Sequence, residues 1–245
     1  MTGRMKTQFG MRSLAILGSA LVATQMSLAQ EVPTRISWAP SYSGSCTDCP
    51  LAGQNLSGWN LSEANYPGAD LTAANLRGVQ GHNTNFNSAI AQGADLRHAD
   101  FSGASFENAI LIGANLQFGQ FNSAQMNSTD LSGASLENGK FIGAILTGAK
   151  LRAGQVFEAD FSAANLTGAT LTAADLTSVV FDNAVLVDAD FFEATLTNTS
   201  FRNARLAGAN LEGTIGIESA DFEGACASPS TRLPISLELM DCTPF

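Results

Sequence analysis

Residues 101–125 read FSGASFENAILIGANLQFGQFNSAQ. A large apolar residue stands at every fifth place: Phe101, Phe106, Leu111, Leu116 and Phe121. Two places before each stands a small one: Ala99, Ala104, Ala109, Ala114 and Gly119. A period of five fits neither a 3.6-residue helix nor a two-residue strand. The phenylalanines carry a second, longer period, because Phe101, Phe121, Phe141, Phe161, Phe181 and Phe201 stand twenty residues apart. Four five-residue units therefore close one turn, and each Phe lies above the one a turn earlier. The chain reads as a square-sided solenoid.

Stepping by five from Leu51 reaches Leu211 without an insertion, through 33 units. Calling the large residue i, an apolar side chain fills i in 31 of these, and Ala fills i−2 in 22. Positions i−1, i+1 and i+2 carry Asn, Asp, Ser, Thr, Gly and Arg. Two residues in five point inward, and three face water and make the corner, where Gly, Asn, Asp and Ser suit turns. Coils stacked at about 4.8 Å make a rod of about eight coils, roughly 40 Å long. Side 1 runs Leu51, Leu71, Ala91 and on to Leu211. Side 2 runs from Leu56 to Leu196, with Val156 the one non-Leu. Side 3 holds Leu61, Gly81 and the six-Phe ladder, which is core. Side 4 runs Tyr66, Phe86, Phe106, Met126 and then Leu146 to Leu206. The rings are thus grouped and stacked, as aromatic pairs prefer. Gly81 and Ala91 remove bulk from opposite sides of one early coil, which predicts a cavity, a bulge or a local loop there.

The units spell Ala-(Asp/Asn)-Leu-x-Gly, as in Ala69-Asp70-Leu71, Ala114-Asn115-Leu116 and Ala209-Asn210-Leu211. On these residues the chain resembles the pentapeptide-repeat family over about two thirds of its length. The resemblance implies an all-β solenoid, a right-handed quadrilateral β-helix of about eight coils with irregular caps. The Cys46-Thr47-Asp48-Cys49 segment just before the array is similar to the start of exported members.

Outside the array, Arg4, Lys6 and Arg12 precede an apolar run at 13–24, and Ser27-Leu28-Ala29 fits a small-x-small cleavage site. Residues 1–29 read as a secretory signal, with Gln30 the first mature residue; the alternative is a retained anchor. The run is short for a bilayer span, so no membrane span is expected once it is removed. Residues 30–48 read as an N-terminal segment, with a cap over Trp38 to Pro50. The repeat domain covers 49–227, regular over 49–213 with a register slip near 212–217, where Ile217 and Phe222 resume the five-residue step. Residues 228–245 read as a C-terminal cap, with a short helix at Ile235–Met240, because solenoid ends need covering.

Export suits the four cysteines. Cys46, Cys49, Cys226 and Cys242 allow three pairings; local pairs are preferred, because the array should hold the ends apart. A redox-active CxxC opens a helix in a βαβ setting, which is missing, so a staple is the expectation. Zinc shared between opposite ends is geometrically implausible.

The formal charge is −10, from 12 basic and 22 acidic residues. Removing 1–29, with its three basic residues, leaves 9 against 22, or −13. Phosphate recognition needs cationic surface, so nucleic acid is excluded as a partner. His82 and His98 face outward near Asp95 and Asp100. They read as solvated side chains rather than metal ligands, with no Ser or Cys nucleophile in a fixed arrangement. The glycines are corners, not a phosphate-cradling loop, and no cofactor is implied. The outward apolar residues are more informative: Ile90 and Ile110 stack one coil apart beside Ile112, and Phe118 and Phe157 share a side. Ile142, Ile145, Val180, Val185, Val187 and Phe192 also fall at outward places. Some of these are candidates for a self-association or partner surface.

Three functions compete. A noncatalytic, exported scaffold or protein-interaction module, periplasmic or extracellular, fits best. An acidic rod that binds a topoisomerase, as the resemblance to quinolone-resistance pentapeptide proteins implies, conflicts with the export signal. An enzyme would rest only on scattered acids and two histidines.

Overall fold

The computed structural model describes residues 44–234 and 237–242; the signal sequence and the first part of the N-terminal cap, residues 38–43, lie outside them. The chain winds as a right-handed quadrilateral β-helix. Each coil pairs with the next through parallel bridges at twenty-residue spacing, from Ser45–Asn65 to Thr195–Ile215.

The unit around Leu166 shows why five residues suffice. The Leu166 and Gly168 N–H groups donate up the stack to Val185 and Val187 O, at 2.8 Å each. Thr170 N–H donates down the stack to Ala149 O at 2.9 Å, and Ala169 N–H closes the corner turn on Leu166 O at 3.0 Å. That leaves one donor, the Thr167 N–H, which the Asn165 Oδ1 accepts at 3.0 Å. Backbone donors must be paired, and here the fifth needs a side chain. This is the reason for Asn and Asp at i−1, since a short side chain reaches the backbone two residues on. The same bond recurs at Asn55, Asn60, Asp70, Asn75, Asp95, Asp100 and Asn115, among others.

Corners turn through a left-handed residue at i+2, with φ of 65° at Gly53 and 52° at Ala153. A left-handed third residue in a four-residue turn favours Gly or Asn.

The inward side chains form one continuous core. The six phenylalanines of side 3 are fully buried. Their rings stack at 4.6 Å between Phe141 and Phe161 and at 5.1 Å between Phe121 and Phe141. Phe222 adds a further rung, 4.9 Å above Phe201. Three i−2 places hold Thr84, Thr129 and Thr199, buried, each donating its hydroxyl to a carbonyl of the coil below at 2.8 Å. A threonine is near alanine in size, and this bond satisfies its hydroxyl.

The bulge or loop expected at Gly81 and Ala91 is not formed, and the cavity expected at Gly81 is filled. Register runs through unbroken, with Gln80 bridging Asp100 and Ile90 bridging Ile110. The Phe101 ring fills the place a side chain at 81 would take, and a Cβ there would collide with it. Phe101 meets Phe86 and Phe106 edge-on, at 83° and 89°. A smaller neighbour was read as a void, whereas the ring one coil away tilts into it.

The ends differ from the sequence reading in three respects. The ladder starts one unit earlier than residue 49, because Cys46 occupies an i position and Ser45 already bridges Asn65. A search for large apolar residues passes over a cysteine. At the other end the register slip falls between Ile215 and Asp221, where a 3-10 helix at Ile217–Ser219 follows left-handed Gly216 and takes up one residue. A turn at 228–231 takes up a second before Arg232 bridges Asn210. Finally, the helix expected at Ile235–Met240 is not formed over its described part. Strand β1 (Cys226–Ala227) pairs in parallel with β2 (Met240–Asp241), and Cys242 N–H donates to Ala227 O at 2.7 Å. An open ladder edge offers ready partners, whereas a six-residue helix must bear its own nucleation cost.

Candidate functional site

The outward residues fall in vertical columns, so the chemistry of each side is set by residues twenty apart. Eight aspartates cap the corner next to them: Asp70, Asp95, Asp100, Asp130, Asp160, Asp175, Asp190 and Asp221. At Asp70 the Thr72 side chain and N–H hold the carboxyl below its usual range, outweighing burial. At Asp95 the Arg97 guanidinium, at 2.6 Å, does the same. At Asp100 and Asp130 burial pushes upward, but the hydroxyl and N–H of Ser102 and Ser132, with His82 and Lys150 alongside, win and lower both. At Asp221 the Glu223 N–H leads and Arg202 adds to it. Each acid already serves a neighbour.

The two histidines are not brought together. His98 stacks flat on Phe118, centroids 5.1 Å apart. His82 Nε2 lies 3.0 Å from Asp100 Oδ2, and its Nδ1 lies 3.4 Å from Ser62 Oγ. The sequence reading, which gave the histidines no serine partner, is corrected here: stacking places Ser62, His82 and Asp100 in register on side 3. The two backbone donors nearest the serine are already engaged. Ser62 N–H donates to Asn60 Oδ1 and Glu63 N–H to His82 O, so neither is free for an oxyanion. Among the described residues, no group of three or more His, Cys, Asp or Glu converges as a metal would require. Also among these, no helix is long and apolar enough to cross a membrane.

Glu137 was not singled out by sequence. It is 5% exposed at an outward place, and its Oε2 accepts from Gln117 Nε2. Burial pushes its carboxyl above the usual range. The column Gln117, Glu137, Phe157 was the available signal, since an acid below a large ring loses its water.

Cys46 and Cys49 occupy inward positions on either side of one corner, Cα atoms 5.7 Å apart. Cys226 and Cys242 lie together across β1 and β2, Cα atoms 4.8 Å apart. Both pairs are within bonding distance.

The candidate surface residues divide between two sides. Ile90, Ile110 and Ile112 stand together on side 1, 40%, 37% and 38% exposed. Ile90 and Ile110 are bridge partners at i−1, where an isoleucine cannot accept the N–H two residues on. Phe118, 51% exposed, marks a corner of side 2. Phe157, also on side 2, is half-buried. Phe192 is exposed further along side 1, Ile142 and Ile145 are exposed on sides 3 and 4, and Val180, Val185 and Val187 are half-buried.

Comparison with known proteins places this architecture. No curated protein matches the chain in sequence. Among solved structures, HetL, described as a pentapeptide repeat protein involved in heterocyst differentiation regulation from Nostoc sp. strain PCC 7120, is 25% identical. It aligns over 77% of this chain and 91% of its own, with a TM-score of 0.49. A trypsin-treated variant of QnrB1, a plasmid-mediated fluoroquinolone resistance protein, is 18% identical over 76% and 92%, with a TM-score of 0.33. Rfr23 from Cyanothece 51142 is 20% identical over 78% and 91%, with a TM-score of 0.25. None of these likenesses transfers a role. The family model for pentapeptide repeats matches in eight copies, beginning at 45–79 and ending at 184–228. With its period, corner turns and matched repeats in agreement, the chain belongs to the pentapeptide-repeat family.

Proposed function

We propose that this protein is a noncatalytic, exported scaffold or protein-interaction module. The observation that carries the reading is how the outward polar groups are used. Asn and Asp at i−1 close backbone donors, and beside Ser62, His82 and Asp100 the Ser62 and Glu63 N–H groups are already engaged. Apolar residues, by contrast, stand outward on several sides, and at Ile90, Ile110 and Ile145 they replace a cap. The basic and apolar start with its Ser27-Leu28-Ala29 site supports export. The cysteine pairs fit disulfides closed in an oxidising compartment. The topoisomerase reading draws on the net charge of −10. Against it, the acids are distributed over the sides rather than gathered on one face, and eight of them serve as turn caps.

Fractionation of the source cells with mass spectrometry of the purified protein tests this. The expected product begins at Gln30 and lies outside the cytoplasm. A soluble cytoplasmic product that keeps Met1 would overturn export and restore the topoisomerase reading.

A further inference from the structure

We infer that side 1 is a homodimer surface, on which two copies pack face to face with their solenoid axes antiparallel. Asn or Asp is the commonest residue at i−1, in 15 of the 33 units. Asn or Asp at i−1 supplies the acceptor that the i+1 N–H needs, yet Ile90 and Ile110 occupy consecutive i−1 places on this side. Each gives up a hydrogen bond and exposes an aliphatic side chain, and Ile112 extends the patch sideways. Most other i−1 places without Asn or Asp hold a polar side chain, and the apolar Ile145, Val180 and Val185 do not stack on one another in consecutive coils; an unforced apolar pair of this kind marks a candidate functional position.

Charge order along side 1 selects the second copy as occupant. Its i−1 column reads Asp70, Ile90, Ile110, Asp130, Lys150, and its i+1 column Thr72, Gln92, Ile112, Ser132, Arg152. A two-fold axis in the interface plane, along the Ile110–Ile112 strand, lays Ile110 on Ile110 and Ile112 on Ile112 of the second copy. It also lays Asp70 on Lys150, with Arg152 beside it on the same strand, and the contact occurs twice by symmetry. Ile90 then meets Asp130, whose charge Lys150 already balances at 3.4 Å within its own chain. Arg152 is exposed and joins no ion pair among the described residues. Two alternatives bring like charges together, and a register one coil longer separates Asp70 from Lys150 and lays Lys150 on Ile90. Parallel axes set Lys150 against Arg152, and an antiparallel register one coil shorter sets Asp70 against Asp130. Like charges placed opposite each other suppress a register.

The chosen register overlaps seven strands, from Pro50–Ala52 to Thr170–Thr172, over about 34 Å at about 4.8 Å per strand. Three outward residues per strand give about 20 residues per copy, the lower end of a standard interface of about 20–30. The inference deepens the interaction-module reading and rests on it. Its test uses the isolated protein, so failure here would leave a foreign partner and the export experiment untouched.

Sedimentation equilibrium on the mature protein is expected to give a concentration-dependent dimer. The double variant Ile90→Asn with Ile110→Asn restores the caps while removing two of the patch's three isoleucines. It should dissociate at least tenfold more readily with an unchanged or higher melting temperature. Asp70→Lys and Lys150→Asp should each weaken self-association by a similar factor. Mixed together, they should form a heterodimer, because one ion pair is native and the other reversed. A wild-type monomer at all concentrations, an Ile90→Asn/Ile110→Asn protein that dimerises normally, or charge variants that fail to restore each other would overturn the inference.

Discussion

Phe141 and Asn122 sit in adjacent coils of side 3 with opposite duties. Phe141 is fully buried between Phe121 and Phe161. Asn122 faces outward, and its Oδ1 accepts the Ile142 N–H at 3.2 Å. Phe141→Asp places an unpaired carboxylate in a dry ladder and should cost more than about 4 kcal/mol. Asn122→Asp keeps the acceptor oxygen and should change stability by no more than about 0.5 kcal/mol. Thermal melts of the two variants make the comparison, and equal melting temperatures would refute the inside and outside assignment. At this scale the sequence was explicit, because size and polarity alternate with the five-residue period. Gly81 was legible as missing bulk but not as the seat of the Phe101 ring, because a ring's tilt depends on neighbours in other coils. Glu137 was missed for a similar reason, since its burial comes from the column in which it stands.

The five-residue unit is the repeating element, and its one unpaired donor explains much of the composition. Where the acceptor is Asp, capping also ties stability to pH. Asp70, Asp95, Asp100, Asp130 and Asp221 titrate below the unfolded range near 3.9. Their contribution is complete above that value and is lost as pH falls through the lower folded values. Glu137 works in the other direction. Its raised folded pKa favours the protonated fold, so its contribution declines as pH rises through the unfolded value near 4.3. Five against one predicts a melting temperature nearly level from about pH 8 to 5 and a steep fall below about pH 4. Calorimetry across that range is the check, and a fall centred near pH 6 would contradict the assignment. The corner rule was only partly legible. Gly and Asn at i+2 announce a left-handed residue, but the chain also places Phe118, Glu158 and Ala173 there, at φ of 58°, 59° and 55°. The stack enforces the conformation whatever the side chain.

At the scale of the whole molecule, the coils protect one another and the ends are the weak points. The last strand, β2, is exposed. It is joined to the solenoid by a short ladder and by the proximity of Cys242 to Cys226. A bond between these cysteines closes a loop of about 17 residues, worth roughly 3 kcal/mol in the chain-entropy model. Reduction should therefore raise hydrogen exchange at Met240–Cys242 while the coils between Phe101 and Phe201 keep their protection. A uniform rise along the rod would mean that the tail and the coils open as one unit.

Sequence alone determined the solenoid, the inward positions and the stacking of residues twenty apart, because each follows from a period that one coil imposes on the next. Tertiary structure decided what lies where that period fails or is crossed. It tilted Phe101 into the space at Gly81, started the ladder at Cys46, and drew the tail into a strand rather than a helix. It also set Ser62 beside His82. In each case the deciding partner lies in another coil or across an open edge. A local pattern records which side chains point in, but not how they settle against one another once the coils stack.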